Sequence, residues 1–219
     1  MKYIAILLLS VILAACGNSG TATISVPGVN TEALPIHSIT PVSILIVGDM
    51  WSVSWTPDVQ QLEYGIANVN HAVLAAPTLD GGAVPENDED SATEAANIDG
   101  WLGSHSYAIV HFDAELDYDV CHGTQYQNSI AAYVANLVYI AKQIQAAGAV
   151  AIYGTGLTDS CHPGASVQVY NAAAVAALEP MGVRIDNLYP LGPVNIPVSV
   201  SQTELLAAHV VQSFGYIPY

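Results

Sequence analysis

Gly48-Asp49-Met50-Trp51-Ser52 follows a β-branched, apolar run over 43–47. Such a run ending in Gly-Asp reads as a buried strand that delivers its tip to a site. Nucleophilic chemistry at such a tip would need a hydroxyl or a thiol. Met50 offers a thioether, which has no proton to lose and cannot carry an acyl group. The nearest hydroxyls are Ser52 and Ser54, and a shift of two residues moves a hydroxyl by up to about 7 Å along the chain. Ser52 is therefore a fallback nucleophile. Bases for it are sought among His71, His105, His111 and His209. His111 lies inside an apolar run, which favours packing. His209 falls on a closing helical pattern, as a boundary residue. His71 and His105 read as solvated loop residues.

Two other groups of residues have metal or redox chemistry within reach. Asp113, Glu115, Asp117 and Asp119 alternate beyond the apolar run over 107–112. Alternation puts side chains on one side of an extended chain, and several hard oxygens together suit Ca²⁺. Solvated carboxylates are the simpler expectation in so acidic a chain. Cys121-His122 and Cys161-His162 supply atoms for zinc, but adjacent side chains diverge, and one cysteine pair in an exported chain favours a disulfide. No cofactor is expected. Trp51 and Trp55, beside Met50, read either as an aromatic cleft floor suited to glycan or acyl groups or as core residues.

The elements that must position these groups alternate. Strands are expected over 43–48, 66–74, 107–112, 149–153 and 183–188. A first helix is expected over 56–63, with Thr56 as N-cap and Pro57 at its first position. Further helices are expected over 91–102, 128–147 (stopping at Gly148), 167–181 and 202–214. The acidic segment 85–90 reads as a loop. Strand-helix alternation predicts an α/β fold with a central parallel sheet of about five strands and helices on both faces. Ligands in such folds bind beyond the carboxyl ends of the strands.

The N-terminus reads as an address. Lys2, an apolar run from Tyr3 to Ala15 and then Cys16 form a signal peptide too short for a permanent bilayer span. Leu13-Ala14-Ala15-Cys16 resembles a bacterial lipobox, in which Cys16 becomes the lipidated first residue; an ordinary signal peptide is the alternative. Residues 16–41 are rich in Gly, Ser, Thr and Pro and read as a flexible tether, leaving 42–219 as the domain. The expected location is the bacterial cell envelope, with the membrane as partner through the lipid. Three Lys and Arg stand against 19 Asp and Glu, for a net charge of −16. So negative a field argues against nucleic acid as a partner.

Several segments in order resemble the SGNH (GDSL) hydrolases. They are Gly48-Asp49-Met50-Trp51-Ser52 with Trp55-Thr56-Pro57-Asp58-Val59-Gln60, then Ala76-Pro77-Thr78-Leu79-Asp80-Gly81-Gly82, then Ile109-Val110-His111-Phe112-Asp113. Pro193-Val194-Asn195-Ile196-Pro197 and the helix after it complete the series, so the resemblance covers about 42–214. It implies a three-layer, flavodoxin-like fold and an ester hydrolase ancestry. It also implies a serine nucleophile, an Asp-x-x-His pair and backbone oxyanion donors. At those positions this chain has Met50 for the serine, Val194 for the aspartate and Pro197 for the histidine, with Gly81 or Gly82 as surviving donors. The pocket implied is bounded by Asp49, Met50, Trp51, Ser52, Gly81, Gly82, Asp113, Glu115 and Asp117. The expectation is a hydrolase-like protein whose catalytic positions are replaced, serving binding or the envelope. The alternatives are an acyl hydrolase or carbohydrate O-acetyl esterase using Ser52, and a structural spacer.

Overall fold

Five short segments become the strands β1 (Val42–Gly48), β2 (Ala67–Ala72), β3 (Ile109–Asp113), β4 (Val150–Gly154) and β5 (Arg184–Asp186). All pair in parallel in the order β2-β1-β3-β4-β5. This is the flavodoxin-like winding, in which β1 and β3 lie side by side at the point where the chain reverses its direction across the sheet. The computed structural model describes residues 41–48, 50–72, 91–103, 105–113, 129–159, 163–194 and 199–215.

Each strand between 42 and 154 except the edge strand β2 is buried on both faces, as parallel sheets demand. Leu45, Val47, Val110, Phe112, Ala151 and Tyr153 point to one side, where the helices α2 (Ser91–Leu102), α3 (Ile130–Ala146) and α4 (Gly164–Leu178) bury Ile98, Leu137 and Ala174 against them. Ile44, Ile46, Ile109 and Ile152 point to the other, against α1 (Met50–Leu62) and α5 (Val200–Ser213). In α3 the buried residues are Tyr133, Leu137, Ile140, Ala141 and Ile144, the helical spacing anticipated from the sequence. Ser129 caps it by accepting from the Ala132 N–H at 3.2 Å, and Gly148 leaves it at φ 83°.

One helix start is corrected. α1 begins at Met50, at the strand tip, and Pro57 lies in its interior. Thr56 is no cap: it is buried, and its hydroxyl donates back to the Ser52 carbonyl at 2.6 Å. The tertiary fold outweighs proline's preference for a helix start, because Ser52, Trp55, Thr56, Val59 and Glu63 form a continuous buried stripe against the sheet. Pro57 sits on the exposed side.

Candidate functional site

The sheet register builds one row across the carboxyl ends of four strands. Gly48 pairs with Asp113 and Gly154 with Asp186; Phe112 and Tyr153, one residue earlier, pair as well. Asp113 therefore stands between two glycines. Both are needed. A Cβ on Gly48 would overlap the Asp113 Oδ1 and lie 2.7 Å from both the Cβ and the Oγ of Ser52. A Cβ on Gly154 would lie 2.8 Å from the His111 Cε1 and 3.2 Å from the Asp113 Cβ. Two missing side chains thus make room for polar groups under the switch point.

Ser52 lies on the second half-turn of α1 and faces this row with no exposed surface. Its Oγ is 2.9 Å from the His71 Nε2. His71 is not the solvated loop residue anticipated. It belongs to β2, beside Ile46, and is only half-exposed. The alternation Ala67-Asn68-Val69-Asn70-His71 carries the signal, since the two asparagines are exposed and the others turn toward α1. Burial lowers the pKa of His71 below its ordinary 6.5, because the imidazolium form would surrender hydration. The imidazole beside Ser52 is held neutral at pH 7.

A second polar network occupies the same face. His111, fully buried, has its Nε2 3.0 Å from the Asp186 Oδ2, and the His209 Nδ1 is 2.7 Å from the Asp186 Oδ1. Trp55 stands edge-on to His111, with ring centroids 5.8 Å apart. Trp55 is fully buried, a core residue and no cleft floor. Nothing in the local sequence marks Asp186. Only the β4–β5 pairing brings it between two histidines distant in the chain.

Other expected site positions fare differently. Met50 opens α1. Val194 is 2% exposed, and its N–H donates to the Thr158 carbonyl at 2.7 Å. The stretch 192–194 is thereby strapped to the loop after β4 with an apolar side chain turned into the core, where the resemblance calls for a carboxylate. Gly192 permits the strap: a Cβ there would lie 2.6 Å from the Thr158 Oγ1. Asn171 braces the same loop, accepting from the Gly156 N–H at 2.9 Å and donating to the Gly156 carbonyl at 3.0 Å. Pro197, Asp49, Gly81, Gly82, Glu115, Asp117, Asp119, Cys16, Cys121 and Cys161 lie outside the described residues, as do the side chains of Met50 and Trp51. Among the described residues no cluster of three His, Cys, Asp or Glu is arranged for a metal.

Beside the strap is an open cleft of about 500 Å³, lined by Thr158, Asp159, Gly164, Tyr189, Pro190, Gly192 and Pro193. Sequence reasoning missed it, because its lining comes from two connections distant in the chain, the one between β4 and α4 and the one after β5. It lies beyond the carboxyl ends of β4 and β5, where folds of this class take ligands.

No family model and no curated protein matches the chain. Solved structures do. TesA aligns with a TM-score of 0.60 at 16% identity, over 78% of this chain and 97% of its own. The psychrotrophic esterase EstA from Pseudoalteromonas gives 0.57 at 14%, over 79% and 96%. A mutant of Axe2, an acetyl-xylooligosaccharide esterase from Geobacillus, gives 0.60 at 12%, over 80% and 95%. GDSL-like lipases and acylhydrolases align comparably. With its five-stranded 2-1-3-4-5 sheet and these neighbours, the chain carries the fold of the SGNH (GDSL) esterases and acylhydrolases.

Proposed function

We propose that this chain is an exported, lipid-anchored protein of SGNH fold that has given up serine-based ester hydrolysis and serves the cell envelope as a binding protein. The observation that carries it is the state of the one serine beside the switch-point row. Ser52 has no exposed surface and is bonded to His71 beneath the strand tip, so no ester carbonyl reaches its Oγ in this conformation. Met50 at the helix start and the buried Val194 in the strap point the same way. Losing nucleophile and orienter together removes the reaction, since each acts only through the others.

The cleft of Tyr189, Pro190 and Pro193 is the binding site in this proposal. A lining that joins Tyr189, Pro190 and Pro193 to the polar Thr158 and Asp159 suits a sugar ring or a short acyl group, in keeping with the acetylated oligosaccharide named for the Geobacillus neighbour. Cys16 is the lipid attachment point, and Cys121 with Cys161 the disulfide, both as inferred from the sequence.

A second reading has its own observation: Ser52 and a neutral His71 within 2.9 Å are a nucleophile and a base in contact. It requires α1 to open. Hydrolysis of p-nitrophenyl acetate by the purified protein, with Ser52→Ala alongside, separates the two. No turnover above the uncatalysed rate supports the first, and turnover independent of Ser52 rules out the second. Turnover that disappears with Ser52 establishes an esterase with a relocated nucleophile.

A further inference from the structure

Asp186 is fully buried and gives one carboxylate oxygen to each of two imidazoles. An ionised carboxylate only accepts hydrogen bonds, so both histidines must donate to it. That requirement fixes both rings. His111 donates from Nε2, and its Nδ1 remains buried among apolar neighbours with no hydrogen-bond partner. His209 donates from Nδ1. Its Nε2 then carries the lone pair. Among the described residues the hydrogen bond given for this ring is the one at Nδ1, and 36% of the side chain is exposed.

We propose that Asp186 and His209 form an acid–base dyad that hydrolyses unhindered, activated carboxylic esters without a serine. A buried carboxylate that takes Nδ1–H and leaves Nε2 as the acceptor on a part-exposed ring is the arrangement that general-base imidazoles require. The step balances with water as the co-reactant. His209 Nε2 takes a proton from water as the water oxygen bonds to the acyl carbon. The ester C–O bond then breaks, the leaving oxygen receives that proton from Nε2, and acid and alcohol depart. Asp186 takes no part in the proton transfer and acts as a positioning residue. His111 supplies the second donor that keeps the carboxylate satisfied inside the core.

This dyad differs from the positions the resemblance assigns. The base sits on α5, twelve residues after Pro197, and its carboxylate comes from β5. It also shares no atom with the Ser52–His71 contact.

Two measurements test it. In histidine-selectively ¹⁵N-labelled protein at pH 8, His209 is expected as the Nδ1–H tautomer, changing to Nε2–H in Asp186→Asn. An Nε2–H ring in the wild type overturns the proposal, whether or not the variant folds. In p-nitrophenyl acetate hydrolysis, wild type and Ser52→Ala are expected to be equally active. His209→Gln should lose about a hundredfold, the lower range for a positioned acid–base group. His105→Gln, an exposed imidazole without a carboxylate partner, should lose nothing. An inactive wild type, or a His209→Gln loss no larger than that of His105→Gln, overturns the dyad and leaves the binding function proposed above standing. Activity that falls only with Ser52 overturns that function as well.

Discussion

Replacing Gly48 by Ala adds a single methyl at the centre of the switch-point row. Gly48 is not in the left-handed region, so the backbone admits alanine without strain and the cost is purely steric. Three atoms stand under 3.0 Å from the new carbon: the Asp113 Oδ1, the Ser52 Oγ and the Ser52 Cβ. The hydroxyl can rotate away, but the Ser52 Cβ moves only with α1. That helix carries Trp55 and Val59, both fully buried against Ile44 and Ile46. Asp113 is 8% exposed, and its Cβ stands close to Gly154 on its other side, so it has little freedom to retreat. Overpacking of a well-filled core costs about 1–3 kcal/mol, and contact on two rigid sides places this site near 3. For a domain of this size that corresponds to a fall of about 6–12 °C in Tm. Guanidinium unfolding should show a lower midpoint with unchanged m-value. Gly148→Ala is the control. It meets nothing within 4 Å but sits at φ 83°, and should lose only about 1 kcal/mol, from the backbone. Asp113→Ala in the Gly48→Ala background should recover part of the loss, since it vacates the space the methyl needs. A Gly48→Ala protein that unfolds at the wild-type midpoint would refute the crowded row and, with it, the placement of Ser52.

Asn171→Leu removes both bonds to Gly156, leaving a loop amide and carbonyl without partners; a loss of about 2–4 kcal/mol in denaturant unfolding is expected. His71 gives a pH signature. Its folded pKa lies below the ordinary 6.5, so between the two values the unfolded chain binds a proton that the native state does not. This contribution to stability is complete above pH 6.5 and is lost as pH falls through 6.5 toward the folded value. His71→Gln should flatten the midpoint-versus-pH curve across that window, and a curve unchanged from wild type would contradict the buried Ser52–His71 contact.

Alternation of short apolar runs with helical patterns was enough to give a parallel α/β sheet, because burial on both faces leaves β-branched runs no other use. The α3 stripe through Tyr133, Leu137, Ile140 and Ile144, and its stop at Gly148, followed from spacing and one glycine's backbone freedom. The start of α1 did not. Pro57 and Thr56 mimic a helix start, and only burial of Ser52, Trp55 and Val59 against the sheet shows that the helix already began at the strand tip. The partnerships that matter most were also beyond the sequence. Ser52 with His71, and Asp186 with His111 and His209, join residues 19, 75 and 23 positions apart. Residue types and local periodicity decide which face a side chain takes. Which two faces meet is decided by strand order and register, and those are properties of the assembled sheet alone.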